Sequence, residues 1–226
     1  NSFPKNVGYL NFSGTQVGEA LTNGTQINVA DRSGATLGQI SDNVSGKAVL
    51  DPKGSPFAID FFIKVPEQSN DNQVVIQKLS SLANNFTLAL SQSSSASTCE
   101  IHFFVTSGSN FAAVSGSLNK GTFSHIYAMY DKSGDQRVKL LIDEKIHSSS
   151  QQANFQNLNY NAVDLTIATG QDARSGSGLL GIFNNRQTFS GSIDDLKYFH
   201  AVDTIDKVKK RKIKSFFSDQ NDDSLK

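Results

Sequence analysis

The 226 residues carry 21 Lys plus Arg against 21 Asp plus Glu, so the net charge is near zero and the overall balance calls for neither a nucleic acid nor an anionic membrane partner. Hydrophobic residues make up 37% of the chain and charged residues 19%, with Phe, Val, Ile and Leu recurring throughout, which excludes a wholly disordered chain and leaves enough apolar material for one sizeable core. A single cysteine, Cys99, excludes an internal disulfide and reads as a buried strand residue. No apolar run approaches the roughly 18 residues a membrane-spanning helix needs. The chain opens on Asn1 with no visible leader, as expected of a processed protein or an excised domain.

Short runs rich in β-branched and aromatic residues alternate with turn residues along almost the whole chain. Tyr9–Phe12 and Gly24–Ala30 are the first expected strands, the second with Ile27 and Val29 on one side. Asp31-Arg32-Ser33-Gly34 reads as a turn. Phe57–Val65 is the strongest early strand, with Phe57, Ile59, Phe61 and Ile63 at period two. Val74–Leu79, Phe86–Leu90 and Glu100–Thr106 follow; in the last, Ile101, Phe103 and Val105 alternate with Glu100, His102 and Phe104. Ser91–Ser97 is a serine-rich loop. His125–Tyr130 and Arg137–Ile142 each place three apolar residues on one face, joined by the hairpin turn Asp131-Lys132-Ser133-Gly134-Asp135. Val163–Ala168, Leu179–Phe183 and Ser192–Tyr198 close the strand list.

About a dozen short strands with almost no helical periodicity predict an all-β sandwich of two antiparallel sheets. One short helix is expected near the C-terminus, capped by Asp203 or Thr204, with Ile205, Val208, Ile213 and Phe216 on one stripe. The expected organisation is one domain over residues 1–217, its core from about residue 7, and a polar tail over 218–226. Four Asn-x-Ser/Thr sites, at Asn11, Asn23, Asn43 and Asn85, match what chance pairing gives in a chain this rich in Asn, Ser and Thr.

Four segments, in order, resemble the laminin-G-like branch of the concanavalin A-like lectin/glucanase superfamily. They are Gly24-Thr25 with Val29-Ala30-Asp31-Arg32-Ser33-Gly34, Phe57–Lys64, Gly121–Asp131 with Val138–Asp143, and Phe189–Phe199. The resemblance implies a jelly roll, a secreted or cell-surface location and a role in binding or adhesion. One departure is that the family's usual Trp is replaced by Phe123, and the chain has no Trp at all.

The resemblance also brings glycoside hydrolases into view. Those need two carboxylates about 5–9 Å apart across the scissile bond. The family's Glu-x-Asp-x-x-Glu strand motif is absent, and the adjacent Asp194 and Asp195 point to opposite faces of a strand. No serine-nucleophile elbow, zinc helix or phosphate loop is present, and His102, His125, His147 and His200 are scattered.

The resemblance implies calcium as the cofactor. Asp31 on the early turn and Asp194 or Asp195 on the closing strand are the candidate ligands, because a jelly roll brings its first and last strands together. The plainer reading makes Asp31 a turn cap and the pair a solvated strand edge. For a ligand, Gln171, Asp172 and Arg174 on one loop and Asn184, Asn185 and Arg186 on the next offer amide and guanidinium groups suited to sugar hydroxyls. Both segments also read as ordinary hairpin tips. The basic run Lys207, Lys209, Lys210, Arg211, Lys212, Lys214 reads either as an anion-binding helix or as a solvated face. The expected function is non-catalytic binding of a glycan or a glycosylated surface protein. The alternatives are a protein–protein assembly module and, third, a glycoside hydrolase.

Overall fold

The computed structural model describes residues 8–16, 18–31, 41–42, 47–48, 50–67, 71–160, 163–176 and 181–210. In chain order the strands are β1 (Leu10–Ser13), β2 (Ile27–Val29), β3 (Ser41–Asp42), β4 (Lys47–Ala48), β5 (Phe57–Lys64), β6 (Gln73–Ser81), β7 (Asn84–Ser91), β8 (Thr98–Ser107) and β9 (Asn110–Asn119). They continue with β10 (Phe123–Tyr130), β11 (Val138–Ile142), β12 (Lys145–Ser148), β13 (Leu165–Ile167), β14 (Ala173–Arg174), β15 (Ile182–Phe183), β16 (Gln187–Thr188) and β17 (Ser190–Phe199). Residues 205–210 are α-helical.

Two large sheets face each other. One has six strands in the order β1-β17-β5-β10-β11-β12, and the other seven, β2-β13-β6-β7-β8-β9, with β16 lying parallel beside β6. All other pairings are antiparallel, and sequence-distant strands neighbour one another in both sheets, which is jelly-roll topology.

The period-two pattern fills the space between the sheets. Phe57, Ile59, Phe61 and Ile63 of β5 meet Phe86, Leu88 and Leu90 of β7 and Ile101, Phe103 and Val105 of β8 in one buried cluster. Phe57 sits at its centre, with ring centroids 5.1 Å from Phe86, 6.2 Å from Phe103 and 6.0 Å from Tyr198. Cys99 is buried, as expected, and burial pushes its thiol pKa up to about 11.

Turn chemistry sets the registers. The β10–β11 turn closes with Gly134 N–H donating to Asp131 Oδ1 at 2.9 Å and Gln136 N–H to the Asp131 carbonyl at 2.9 Å. Gly191, at the start of β17, has φ +148°, and a Cβ there would meet the Lys64 carbonyl oxygen at 2.4 Å, so only glycine lets β17 lie against β5.

The outer face of the six-stranded sheet is also covered. Ala58, Tyr127, Met129 and Leu141 pack against Val208, with Phe199, Val202 and Ile205 around them. The helix is thus a cap on that face, begun where Val208 N–H donates to the Thr204 carbonyl. Ile213 and Phe216, along with Arg211, Lys212 and Lys214, lie outside the described residues. On the same face of the sheet His125 Nε2 lies 2.6 Å from Asp60 Oδ1.

Six strands were not expected from the sequence: the two-residue β3, β4, β14 and β16, and the longer β9 and β12. β9 has outward positions Ala113, Ser115 and Ser117 and an inward Gly116, a composition that hides its alternation. β12 is a short edge strand whose apolar residue, Ile146, is 44% exposed. Of the expected Leu179–Phe183 strand, Ile182–Phe183 is β15, and residues 179 and 180 lie outside the described residues, as do Arg32, Ser33, Gly34 and Asn43. Asn85 is fully buried, and its amide donates to the carbonyls of Ser81 and Leu82 and to Thr106, so the fold has no room for a glycan there.

Candidate functional site

The outer face of the seven-stranded sheet carries two hollows. Its strands turn inward residues to the core and polar or small residues outward: Asn85, Thr87 and Ala89 on β7, Glu100, His102 and Phe104 on β8, and Ser115 and Ser117 on β9. Residues 170–176 and 181–186 cross this face. Their Ala173 and Phe183 bury against Val74, Ala89 and Phe104. Asn185 pins the crossing segment, accepting from Val74 N–H at 3.0 Å and donating to the Gly170 carbonyl at 2.8 Å, while Asp172 accepts Asn185 N–H at 2.8 Å. Arg174 lies 5.3 Å over the Phe111 ring and donates to the Gly108 carbonyl.

The crossing segment leaves a hollow on each side. On the β2 side a cleft of about 330 Å³ is lined by residues from β2, β13, β6 and the crossing segment, including Asn28, Thr166, Gln77 and Gln171. Thr166 pairs in register with both Asn28 and Gln77, so three non-consecutive strands lay one polar row across the cleft floor. Gln77 is a fixed wall: its amide donates to Thr87 and to the Gln171 carbonyl, both at 3.0 Å, and its oxygen accepts Gln171 N–H at 2.8 Å. Asn28 and Gln171 are exposed and present their amides to solvent in the cleft, beside Leu21 and Leu79. On the far side a polar hollow of about 300 Å³ is lined by Ser91, Gln92, Ser93, Thr98, Cys99, Glu100 and Ser117.

Next to that second hollow Ser115 donates its hydroxyl hydrogen to Glu100 at 2.6 Å, and His102 Nε2 lies 3.5 Å from the other Glu100 oxygen. The order is serine–carboxylate–histidine, not the serine–histidine–carboxylate order of a catalytic triad. His102 instead stacks on Phe104 at 5.6 Å, close to Phe183, and holds up the crossing segment.

Burial lowers the His102 pKa from 6.5, with the Glu100 carboxylate opposing, and burial also lowers that of His147. A histidine whose folded pKa is depressed contributes full stability above its unfolded value. That stability is lost as pH falls from 6.5 toward the lowered folded value, because the unfolded chain takes up the proton first. Thermal melts should therefore fall between about pH 7 and pH 5 by about 2–4 °C per kcal/mol lost, and His102→Gln should flatten the fall. An identical pH slope in the variant would refute a role for His102.

Of the residues expected to bind a ligand, Gln171 lines the cleft. Asp172, Arg174 and Asn185 hold the crossing segment in place through the contacts above. Asn184 and Arg186 are exposed at its end, where the Asn184 carbonyl accepts from Asn72 and Arg186 N–H donates to the Asn72 carbonyl. Sequence reading missed Asn28, Gln77 and Thr166. The available signal was polar residues on the outward beat of strong strands, such as Asn28 between Ile27 and Val29.

The calcium set does not fit. Asp31 is fully buried and its carboxylate is held by Lys78 Nζ at 2.6 Å and Leu50 N–H at 3.0 Å. Asp194 opposes Phe62 on the outer side of the six-stranded sheet and accepts the N–H of Asp195. Asp195 sits at a β-bulge with φ +51° and pairs with Lys197. Among the described residues no group of three or more His, Cys, Asp or Glu side chains comes together as a metal site. Melting midpoints with calcium and with chelator should coincide; a rise with calcium, by mass action on the folded state, would contradict this.

Fold and cleft together define a jelly-roll sandwich with one sheet capped by the helix and a polar cleft on the other, the architecture of lectin-like proteins. A laminin-G model of the concanavalin A-like lectin/glucanases superfamily matches residues 37–209, and the chain belongs to that family. No curated protein matches it. Among solved structures, a heptameric SAP-like pentraxin from Limulus polyphemus is 18% identical, with 70% of each chain covered and a TM-score of 0.50. The receptor binding domain of botulinum neurotoxin C/D mosaic serotype is 12% identical over 97% of this chain and 45% of that one, with a TM-score of 0.55. The chain thus spans less than half the length of that neurotoxin structure. At these identities the likeness is one of fold.

Proposed function

We propose that this chain is a non-catalytic carbohydrate-binding domain of a secreted or surface protein, with the cleft beside Gln171 as its binding site. The observation that carries the reading is the polar row Asn28–Thr166–Gln77 across three strands, walled by Leu21 and Leu79. The solvent-facing amides of Asn28 and Gln171 can accept from and donate to vicinal hydroxyls, and small apolar walls suit the C–H face of a pyranose. The cleft has one carboxylate in its lining, Asp164, where two-carboxylate hydrolysis needs a pair. The pinned segment carrying Asp172, Arg174, Asn184, Asn185 and Arg186 forms one bank of this site. The family match and the receptor-binding role of the neurotoxin domain support a binding module.

The test is a glycan array followed by titration of the best glycan. Asn28→Ala and Gln171→Ala should each weaken binding about three- to tenfold, the worth of one hydrogen bond, with unchanged melting. An array with no glycan bound, beside a protein partner that does bind, would replace this reading with a protein–protein module.

A further inference from the structure

We propose that Lys78 and Asp31 condense to an intramolecular isopeptide bond, so that the N-terminal edge of the seven-stranded sheet is covalently joined to its centre. The Lys78 ammonium and the Asp31 carboxylate lie 2.6 Å apart with both side chains at 0% exposure. Lys78 stands on β6, and Asp31 follows β2, two strands away across β13.

A charged pair in such a place is costly, because desolvation takes both ions from water. Moving one proton from the ammonium to the carboxylate leaves a neutral amine against a neutral carboxylic acid, the reactive form of each. The fold holds them in contact, and no water need be displaced for the nitrogen to reach Cγ. A third group stands by. Asp51 is buried next to Leu50, whose N–H donates to Asp31 Oδ2. Burial raises the Asp51 pKa, against the opposing pull of Tyr160 N–H and Lys78, so this carboxylate takes up a proton more readily than a solvated one.

The step balances without any oxidant or co-reactant. The Lys78 Nζ lone pair forms the N–C bond to Asp31 Cγ. The C–Oδ1 bond breaks, and Oδ1 leaves as water with its own hydrogen and one from the nitrogen, relayed through the Asp51 carboxyl. Oδ1 is the oxygen with no hydrogen-bond partner among the described residues. The product's needs are already met: the amide carbonyl oxygen, formerly Oδ2, keeps Leu50 N–H, and the amide N–H donates to the Val163 carbonyl, which now accepts from Nζ at 2.6 Å.

The test is the intact mass of the purified, folded chain. The expected value is the sequence mass less one water. Trypsin should then leave residues 6–32, through Asp31, joined to residues 65–120 through an uncleaved Lys78. Lys78→Arg keeps the cation and should restore the full mass. Asp51→Asn should slow or abolish the water loss while the pair remains in place. A wild-type chain at full sequence mass, or a water loss that maps to any other peptide, overturns the proposal without touching the glycan-binding reading.

Discussion

Lys78→Met should be about 3–5 kcal/mol less stable than the Asp31→Leu/Lys78→Met double variant, because it strands the Asp31 carboxylate at zero exposure with neither a cation nor a cross-link. Urea unfolding of the single variant, of Asp31→Leu and of the double variant measures the effect. The double variant should be more stable than either single one, since no buried charge is left over. Equal losses in all three would mean that solvent reaches the pair. The Val163 carbonyl also loses its donor in Lys78→Met, which adds to the cost.

Phe57→Ala should cost a similar amount, about 3–5 kcal/mol, for a different reason. Phe57 is 0% exposed and touches aromatic rings from both sheets, Phe86 and Phe103 on one side and Tyr198 on the other. Those rings stand on β7, β8 and β17, so they cannot all collapse into one hole. Chemical denaturation again reads the loss. Phe57→Leu should recover more than half of it by refilling most of the volume. A loss near zero in Phe57→Ala would mean that the two sheets slide together to close the gap.

Strand patterning was legible where one residue in two is large and apolar, as in β5, β8 and β10. The same residues could not reveal that β5 is buried on both faces, because its second face is covered by Val208, some 150 positions further along the chain. β9 escaped notice because an inward Gly116 and outward Ser115 and Ser117 weaken the contrast that alternation depends on. Gly116 itself is dictated from elsewhere: a Cβ there would lie 2.6 Å from His147 and from Ile142, on β12 and β11.

The cleft was half legible. Gln171 stood out as an amide on a loop, but Asn28 and Thr166 become neighbours only when β13 is slotted between β2 and β6. Asp31 was noticed for its turn residue type. Its partner was hidden because a lysine in Val74-Val75-Ile76-Gln77-Lys78-Leu79 reads as an outward position, whereas a bulge between Val74 and Ile76 turns Lys78 inward.

The pairing of β1 with the start of β17 has a mechanical consequence. Leu10 lies opposite Ile193, and β17 runs on from there to Phe199, so the two ends of the described chain leave the six-stranded sheet from the same side. Tension between those ends pulls along the β1–β17 hydrogen bonds rather than across them, and loads them one at a time like a zipper. β1 would come away first, followed by the anchor at Thr15, which holds Gln187 and Thr188. The peel then reaches β2 and meets Asp31. With that residue joined to Lys78, the force passes into β6 in the middle of a sheet, where strands shear together instead of parting in turn.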